Sequence, residues 1–156
     1  MSATATASTI LTSSVQGRLV TGTEVAITAR QHEFTVDEPE SLGGADKGAN
    51  PIEHLLAALA SCTVISYQVW AGKLGIAVDS IDVDLEGTID LAGFFGTDET
   101  VRPGFQGIEL GIRVAGPASE ADYRRLEQAV AFPVGVGKLG FALLPLELVE
   151  RRLCEV

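Results

Sequence analysis

The chain has 156 residues, 46% of them hydrophobic and only 6% aromatic, which predicts one domain spanning residues 1–156 with an aliphatic core. Its net charge of −10 argues against nucleic acid and against an anionic membrane surface, because both need clustered Lys and Arg. Two cysteines, Cys62 and Cys154, are too few for a disulfide framework, and no basic segment precedes an apolar stretch at the N-terminus. We therefore expect a cytoplasmic protein whose thiols are free.

The first part of the chain predicts three short strands. Ser8–Val15 and Glu24–Ala29 are rich in Thr, Val and Ile, and glycines separate them. His32–Val36 predicts the third strand, and Asp37-Glu38-Pro39 should end it. The segment Ser41–Ala49 is rich in glycine and charge, so it predicts a loop.

A long helix is predicted next. Asn50 suits the N-cap, Pro51 the first helical position and Glu53 the third, and the pattern can continue to Leu74. Between Glu53 and the last turn there is no Asp, Glu, Lys or Arg, whereas an ordinary surface helix shows a charged face. Polar side chains interrupt its apolar stretch, so we expect no membrane span. The helix should instead be covered on nearly all sides, in part by a partner subunit.

The second half of the chain predicts strands and one further helix. Ser80–Leu91 and Gly107–Val114 alternate between apolar and polar residues and predict half-buried strands, with Phe94–Gly104 as a loop between them. Ser119–Ala131 predicts a helix capped by its serine, and Leu144–Leu153 predicts a last strand. Separate runs of strands and helices are typical of the α+β class.

Cys62 is the first candidate for chemistry, and it has two interpretations. A cysteine in the middle of an apolar helix is usually a small buried hydrophobe. A reactive thiol needs a pKa lowered by a cation or by a helix N-terminus. Cys62 stands about three turns from the N-terminus, so the helix dipole contributes little and any activating group must come from outside this helix.

Glu53 is the second candidate, and it also has two interpretations. Asn50 and Glu53 have the spacing of a capping box, which is a structural role. Alternatively, the carboxylate holds an arginine in a reactive site. Nine residues separate Glu53 from Cys62, which places them about 180° apart around the helix and about 13 Å apart along it. A site that uses both residues must therefore combine two subunits.

Other motifs are absent from the sequence. His32 and His54 are far apart, and there is no HxxxH, CxxC or HExxH spacing, so we expect no metal site and no cofactor. The glycines of residues 43–48 lack the order of a phosphate-binding loop, and no GxSxG hydrolase motif is present.

One continuous stretch resembles a known family. After Asp37-Glu38-Pro39, residues 42–63 read Leu-Gly-Gly-Ala-Asp-Lys-Gly-Ala-Asn-Pro-Ile-Glu-His-Leu-Leu-Ala-Ala-Leu-Ala-Ser-Cys-Thr. This stretch resembles the OsmC/Ohr family (osmotically inducible protein C and organic hydroperoxide resistance proteins), in its OsmC-like branch, and residues 83–87 fit the family's next strand. The resemblance implies an α+β fold with antiparallel sheets wrapped around a long central helix, in an intertwined homodimer.

The resemblance also implies a chemistry. Active members reduce organic hydroperoxides: a cysteine matching Cys62 attacks the peroxide as a thiolate and becomes a sulfenic acid, and a second cysteine then closes a disulfide with it. A glutamate matching Glu53 and an arginine polarise the site. Arg18 is the better-placed arginine here, and Arg30 is its rival.

One departure from the family pattern matters. The family's second cysteine stands in a Cys-Pro-Val motif after the second helix, where this sequence has Phe132-Pro133-Val134. Nothing in the sequence indicates that Cys154 replaces it. Three hypotheses follow. The first is a one-cysteine peroxidase that acts in oxidative stress, reduces an organic hydroperoxide and needs an external dithiol. The others are a catalytically degenerate structural dimer and a dimer that binds an apolar ligand.

Overall fold

The computed structural model of the chain describes residues 10–131 and 149–153 and has the α+β architecture that the sequence predicts. The strands are β1 (Gln16–Thr21), β2 (Glu24–Ala29), β3 (His32–Val36), β4 (Ser80–Ile89), β5 (Phe105–Ala115) and β6 (Val149–Leu153). The helices are α1 (Pro51–Leu74), α2 (Leu91–Phe94) and α3 (Glu120–Ala131). The chain divides into two compact units, with the boundary between His54 and Leu55. The single domain over residues 1–156 stays a prediction.

The first unit contains a three-stranded antiparallel sheet in the order β1-β2-β3. The prediction of a strand at Ser8–Val15 is wrong for its described part, because residues 10–15 are not in a strand. β1 pairs with β2 from Gln16 opposite Thr28 to Thr21 opposite Glu24, and β2 itself ends one residue beyond Thr28, at Ala29, so most of residues 10–15 have no β2 residue to pair with.

The second unit contains a sheet in the order β4-β5-β6. β4 and β5 are antiparallel along their length, as the alternating sequence predicts, and β6 joins β5 in parallel. The predicted last strand is described only from Val149, because residues 144–148 lie outside the described part. The predicted loop at 94–104 needs a correction, since its start belongs to α2, which Asp90 caps by accepting the N–H of Ala92 at 2.9 Å.

The core of the second unit lies between α1, α3 and the sheet. The buried residues of this cluster are Tyr67, Ala71, Ile76, Leu110, Ile112, Val114, Leu126 and Val130. From α1 the buried residues recur every fourth position, namely Leu59, Thr63, Tyr67 and Ala71, which is one stripe of the helix surface. The rest of this apolar helix is only partly covered within one chain.

By length and composition alone, α1 is long and apolar enough to cross a membrane, and only 22% of its most apolar stretch is buried. A core helix of a soluble protein passes the same test. Most of the apolar stretch of α1 is thus not buried within one chain, and the absence of a membrane span stays a prediction.

Candidate functional site

The first turn of α1 forms the capping box that the sequence predicts. The backbone N–H of Asn50 donates to Glu53 Oε2 at 2.7 Å, and the N–H of Glu53 donates to Asn50 Oδ1 at 2.9 Å. Glu53 is exposed. The capping interpretation of Glu53 is confirmed, but it does not exclude the other one, because an ionised carboxylate has about four acceptor positions and this contact uses one.

His54 ties the same turn to β3. The carbonyl oxygen of Asn50 lies 3.0 Å from both the backbone nitrogen and Nδ1 of His54. Since a carbonyl oxygen only accepts, a hydrogen bond to Nδ1 requires a proton on that nitrogen. The ring stacks on Phe34 with centroids 5.0 Å apart and an interplanar angle of 15°. The position of Glu53 is therefore tied to the sheet of the first unit.

The structure does not bring either candidate arginine to Glu53 within one chain. Arg18 lies in β1 opposite Ala26, which lies opposite Thr35 in β3. Thr35 is the neighbour of Phe34, so Arg18 is on the sheet face opposite to the one that meets His54. Arg30 lies in the β2–β3 turn with a φ of 58°. Within residues 10–131, neither arginine forms an ion pair with Glu53.

Cys62 is a free, half-buried cysteine on α1. It lies between the exposed Ser61 and the buried Thr63. The Ser61 hydroxyl donates to the carbonyl of Ala58 at 3.1 Å, and the Thr63 hydroxyl donates to that of Leu59 at 2.8 Å. Both neighbouring hydroxyls are thus engaged with the helix backbone, so activation of the thiol must come from elsewhere. Phe132, at the position of the family's second cysteine, and Cys154, the other cysteine of the chain, both lie outside the described residues.

One side of α1 is exposed in a single chain, and we call it the open face. It consists of Ala58, Ser61, Ile65, Gln68, Val69 and Gly72. Ile65 is 62% exposed and Val69 is 47% exposed. A cleft of about 290 Å³ lies beside it, lined by Val64, Ile65, Gln68, Val69, Val78, Asp79, Ser80 and Ile81. Neighbouring exposed Ile and Val side chains on one helix face favour an interaction surface.

Sequence reasoning missed Asp37, which is the buried carboxylate of the first unit with 1% exposure. Its Oδ1 accepts the Thr23 hydroxyl at 2.6 Å and the N–H of Glu38 at 2.9 Å, and its Oδ2 accepts the N–H groups of Ala45 at 3.0 Å and Lys47 at 3.3 Å. The Thr23 hydroxyl above all, followed by the backbone amides, lowers the pKa of this carboxyl from its ordinary value of 3.8, although burial opposes the change.

The described residues bring no three His, Cys, Asp or Glu side chains together in a way that could hold a metal ion. The side chains that stand out are instead a capped glutamate, a half-buried thiol and a buried aspartate. None of them requires a bound cofactor to explain its contacts.

Comparisons with known proteins agree with this architecture. The OsmC family model, described as OsmC-like protein, matches residues 44–132, which is more than half of the chain. A comparison with curated proteins gave no match.

Solved structures share the fold. An OsmC-like protein from Mycoplasma pneumoniae is 18% identical with a TM-score of 0.73, covering 92% of this chain and 96% of its own. The organic hydroperoxide resistance protein OsmC from Legionella pneumophila is 18% identical with a TM-score of 0.62, covering 94% and 97%. An organic hydroperoxide resistance protein from Elizabethkingia anophelis is 21% identical with a TM-score of 0.63, covering 93% and 95%. Identities this low show the fold alone, and together with the family match they establish that the chain belongs to the OsmC-like family.

Proposed function

We propose that the chain is a thiol-dependent organic hydroperoxide reductase in which Cys62 is the single reacting cysteine. The main support is the position of Cys62, which lies on α1 nine residues after Glu53 and inside the segment that matches the family. Its half-buried state at the border of the open face leaves part of the side chain accessible to a small molecule. Two of the structures that share the fold are organic hydroperoxide resistance proteins by name.

The proposed reaction has two steps. The thiolate of Cys62 attacks the terminal oxygen of the hydroperoxide, so an S–O bond forms, the O–O bond breaks, and the departing alkoxide takes a proton to become an alcohol. Cys62 is oxidised to a sulfenic acid. One thiol of an external dithiol then displaces water from that sulfur, and its second thiol closes a cyclic disulfide and releases Cys62 as a thiol.

Charged groups would assist the first step. In this proposal Arg18 stabilises the thiolate and the developing alkoxide, and the exposed carboxylate of Glu53 orients the guanidinium. Arg30 is the alternative, but its position at a hairpin turn gives it fewer constraints. Either arginine would have to reach a site that one chain does not assemble, because Arg18 lies on the sheet face opposite to Phe34.

A homodimer resolves this difficulty. Since Glu53 and Cys62 point to opposite sides of α1, a shared site would take the glutamate of one subunit and the cysteine of the other. The open face supplies the contact surface, because leaving Ile65 and Val69 in water is unfavourable. In this proposal α1 is the core helix of a soluble cytoplasmic dimer and not a membrane span. Light scattering that finds a stable folded monomer at micromolar concentration would refute it.

A second candidate is a catalytically inactive dimer with a structural or apolar-ligand-binding role. It is favoured by the engagement of Glu53 with the Asn50 amide and of the hydroxyls beside Cys62 with helix carbonyls. The apolar cleft beside the open face would be its ligand site.

The deciding experiment measures consumption of cumene hydroperoxide with dithiothreitol as the dithiol. We expect turnover by the unmodified chain, none above background for Cys62→Ser, and full turnover for Cys154→Ser, the matched control. A dimedone adduct at Cys62 would report the sulfenic acid. Turnover that survives Cys62→Ser, or no turnover in the unmodified chain, would contradict the proposal.

A second variant separates the two roles of Glu53. Gln at this position can still form a capping box, so Glu53→Gln should keep the thermal stability of the protein. It removes the charge that orients the arginine, and we expect Cys62 oxidation to slow by about tenfold or more. An unchanged rate would leave Glu53 with its capping role only and favour the inactive dimer.

A further inference from the structure

Asp37 holds together three segments of the first unit. It follows β3 directly, and its partners come from the β1–β2 turn through Thr23 and from the loop through Ala45 and Lys47. All four of its partners donate to it, which favours the ionised carboxylate over the protonated form. Together with Thr63, Asp37 makes up the buried polar residues in the described part of the chain.

The segment that Asp37 organises, residues 38–49, is called here the Asp37 loop. It packs tightly against backbone at two glycines, against its own backbone at Gly44 and against β3 at Gly48. A Cβ on Gly44 would lie 1.7 Å from the carbonyl oxygen of Glu38, and one on Gly48 would lie 2.3 Å from that of Thr35. A further tie joins Lys47 Nζ to Glu24 at 2.7 Å. The loop therefore has one closely packed path, and that path ends at Asn50.

We propose that Asp37 is a positioning residue for the Glu53 carboxylate. By fixing the amides of Ala45 and Lys47, it sets the direction in which the chain enters Asn50, whose own amide holds Glu53 Oε2 at 2.7 Å. The inference rests on the proposed function, since it assigns this buried carboxylate to the same reaction. A displacement of about 1 Å in such a group is enough to slow a reaction strongly.

The substitution Asp37→Asn tests this with little change in shape. Its carboxamide has one oxygen and one NH₂ group. If the NH₂ takes the place of Oδ2, it faces the N–H groups of Ala45 and Lys47. If it takes the place of Oδ1, the Thr23 hydroxyl can turn to accept, but the N–H of Glu38 cannot. At least one backbone N–H is left opposite another donor in either orientation.

Asp98→Asn is the matched control. Asp98 also accepts a hydroxyl and a backbone N–H, both from Thr100, at 2.6 and 2.9 Å. It is exposed and belongs to the second unit, outside the Asp37 loop. If Asp37→Asn fails to fold, Thr23→Val removes one of the four donors at nearly constant volume and should change the same quantities in the same direction.

The first measurement is hydrogen exchange of backbone amides. We expect the amides of Ala45, Lys47 and Asn50 to exchange about tenfold faster in Asp37→Asn, because the loop opens more often. Asp98→Asn should leave them unchanged. Unchanged exchange at Asn50 in Asp37→Asn would overturn the inference, because the loop would then not control the capped turn.

The second measurement is the rate of Cys62 oxidation by cumene hydroperoxide, at a temperature at which every variant is folded. Asp37→Asn should be about tenfold slower, and Glu53→Gln in the same chain should add little, because Asp37 acts through Glu53. An unchanged rate, or losses that multiply independently, would show a purely structural role. If the unmodified chain does not react, the proposed function fails, and the exchange rate at Asn50 still decides whether Asp37 controls the position of Glu53.

Discussion

Replacing Ile65 by Glu should dissociate the proposed dimer. Ile65 lies in the middle of the open face and is 62% exposed in one chain. If that surface were the natural surface of a monomer, a carboxylate there would be well solvated and the change would have little effect. If the surface is covered by a second copy, each subunit would lose an apolar contact and bury a charge instead.

The size of the effect follows from the exposed fraction. Burying a whole Ile side chain is worth about 1.5–3 kcal/mol, and 62% of it is available, which gives about 1–2 kcal/mol per subunit. A two-fold axis places both copies in the interface, so the dimer loses about 2–4 kcal/mol. The dissociation constant should rise about 30- to 700-fold before any penalty for the buried carboxylates is counted.

Sedimentation or light scattering over a range of concentrations would measure this change. Phe94→Glu is the matched control, because Phe94 is 57% exposed but lies on α2 and outside the open face. We expect Phe94→Glu to have the same dissociation constant as the unmodified chain. A dimer equally stable in Ile65→Glu, or a monomer in all three proteins, would refute the reasoning about the open face.

Three further predictions concern stability and the second sulfur. Leu126 is fully buried, so Leu126→Ala should lower the free energy of unfolding in urea by about 2–5 kcal/mol; a loss well below this would mean that α3 is not part of the core. Because the pKa of Asp37 is lowered from 3.8, its contribution to stability is complete above that value and is lost as the pH falls through the lower pKa of the folded protein. The free energy of unfolding should therefore fall less steeply with decreasing pH in Asp37→Asn. An identical pH dependence in the two proteins would contradict the lowered pKa of Asp37. Phe132→Cys should form a disulfide with Cys62 after one equivalent of hydroperoxide, counted as the loss of two free thiols; if every thiol stays free, the alignment of Phe132 with the family's second cysteine is wrong.

Local signals were sufficient to predict α1. Its start is marked by Asn50 and Pro51, and its end by Gly75, which takes a φ of 66° while the N–H of Ile76 returns to the carbonyl of Ala71 at 3.0 Å. These residues act on their neighbours in the chain, so both ends of the helix can be predicted from the sequence. The alternation of β4 was equally readable, because its residues are half-buried on one face and exposed on the other.

Long-range pairing was not predictable in the same way. Residues 10–15 have the composition of a strand, yet they are not in one, because composition does not fix where pairing with β2 begins. Asp37 was missed for a similar reason. Its partners are the backbone amides of Ala45 and Lys47, and any residue type offers such an amide. Only the path of the loop, which depends on the close contacts of its glycines, brings those amides to the carboxylate.

The two interpretations of Glu53 that the sequence left open turn out to be compatible. The capping box uses Oε2 and limits the rotation of the side chain, since Asn50 holds it from one direction. A carboxylate held in this way loses less conformational entropy when it later binds an arginine, so the cap would prepare the group for that role. The same contact also ties the carboxylate to the end of the Asp37 loop, whose path a buried charge controls. Glu53→Gln keeps the cap and removes the charge, and for that reason it separates the two roles, whereas Glu53→Ala would abolish both together.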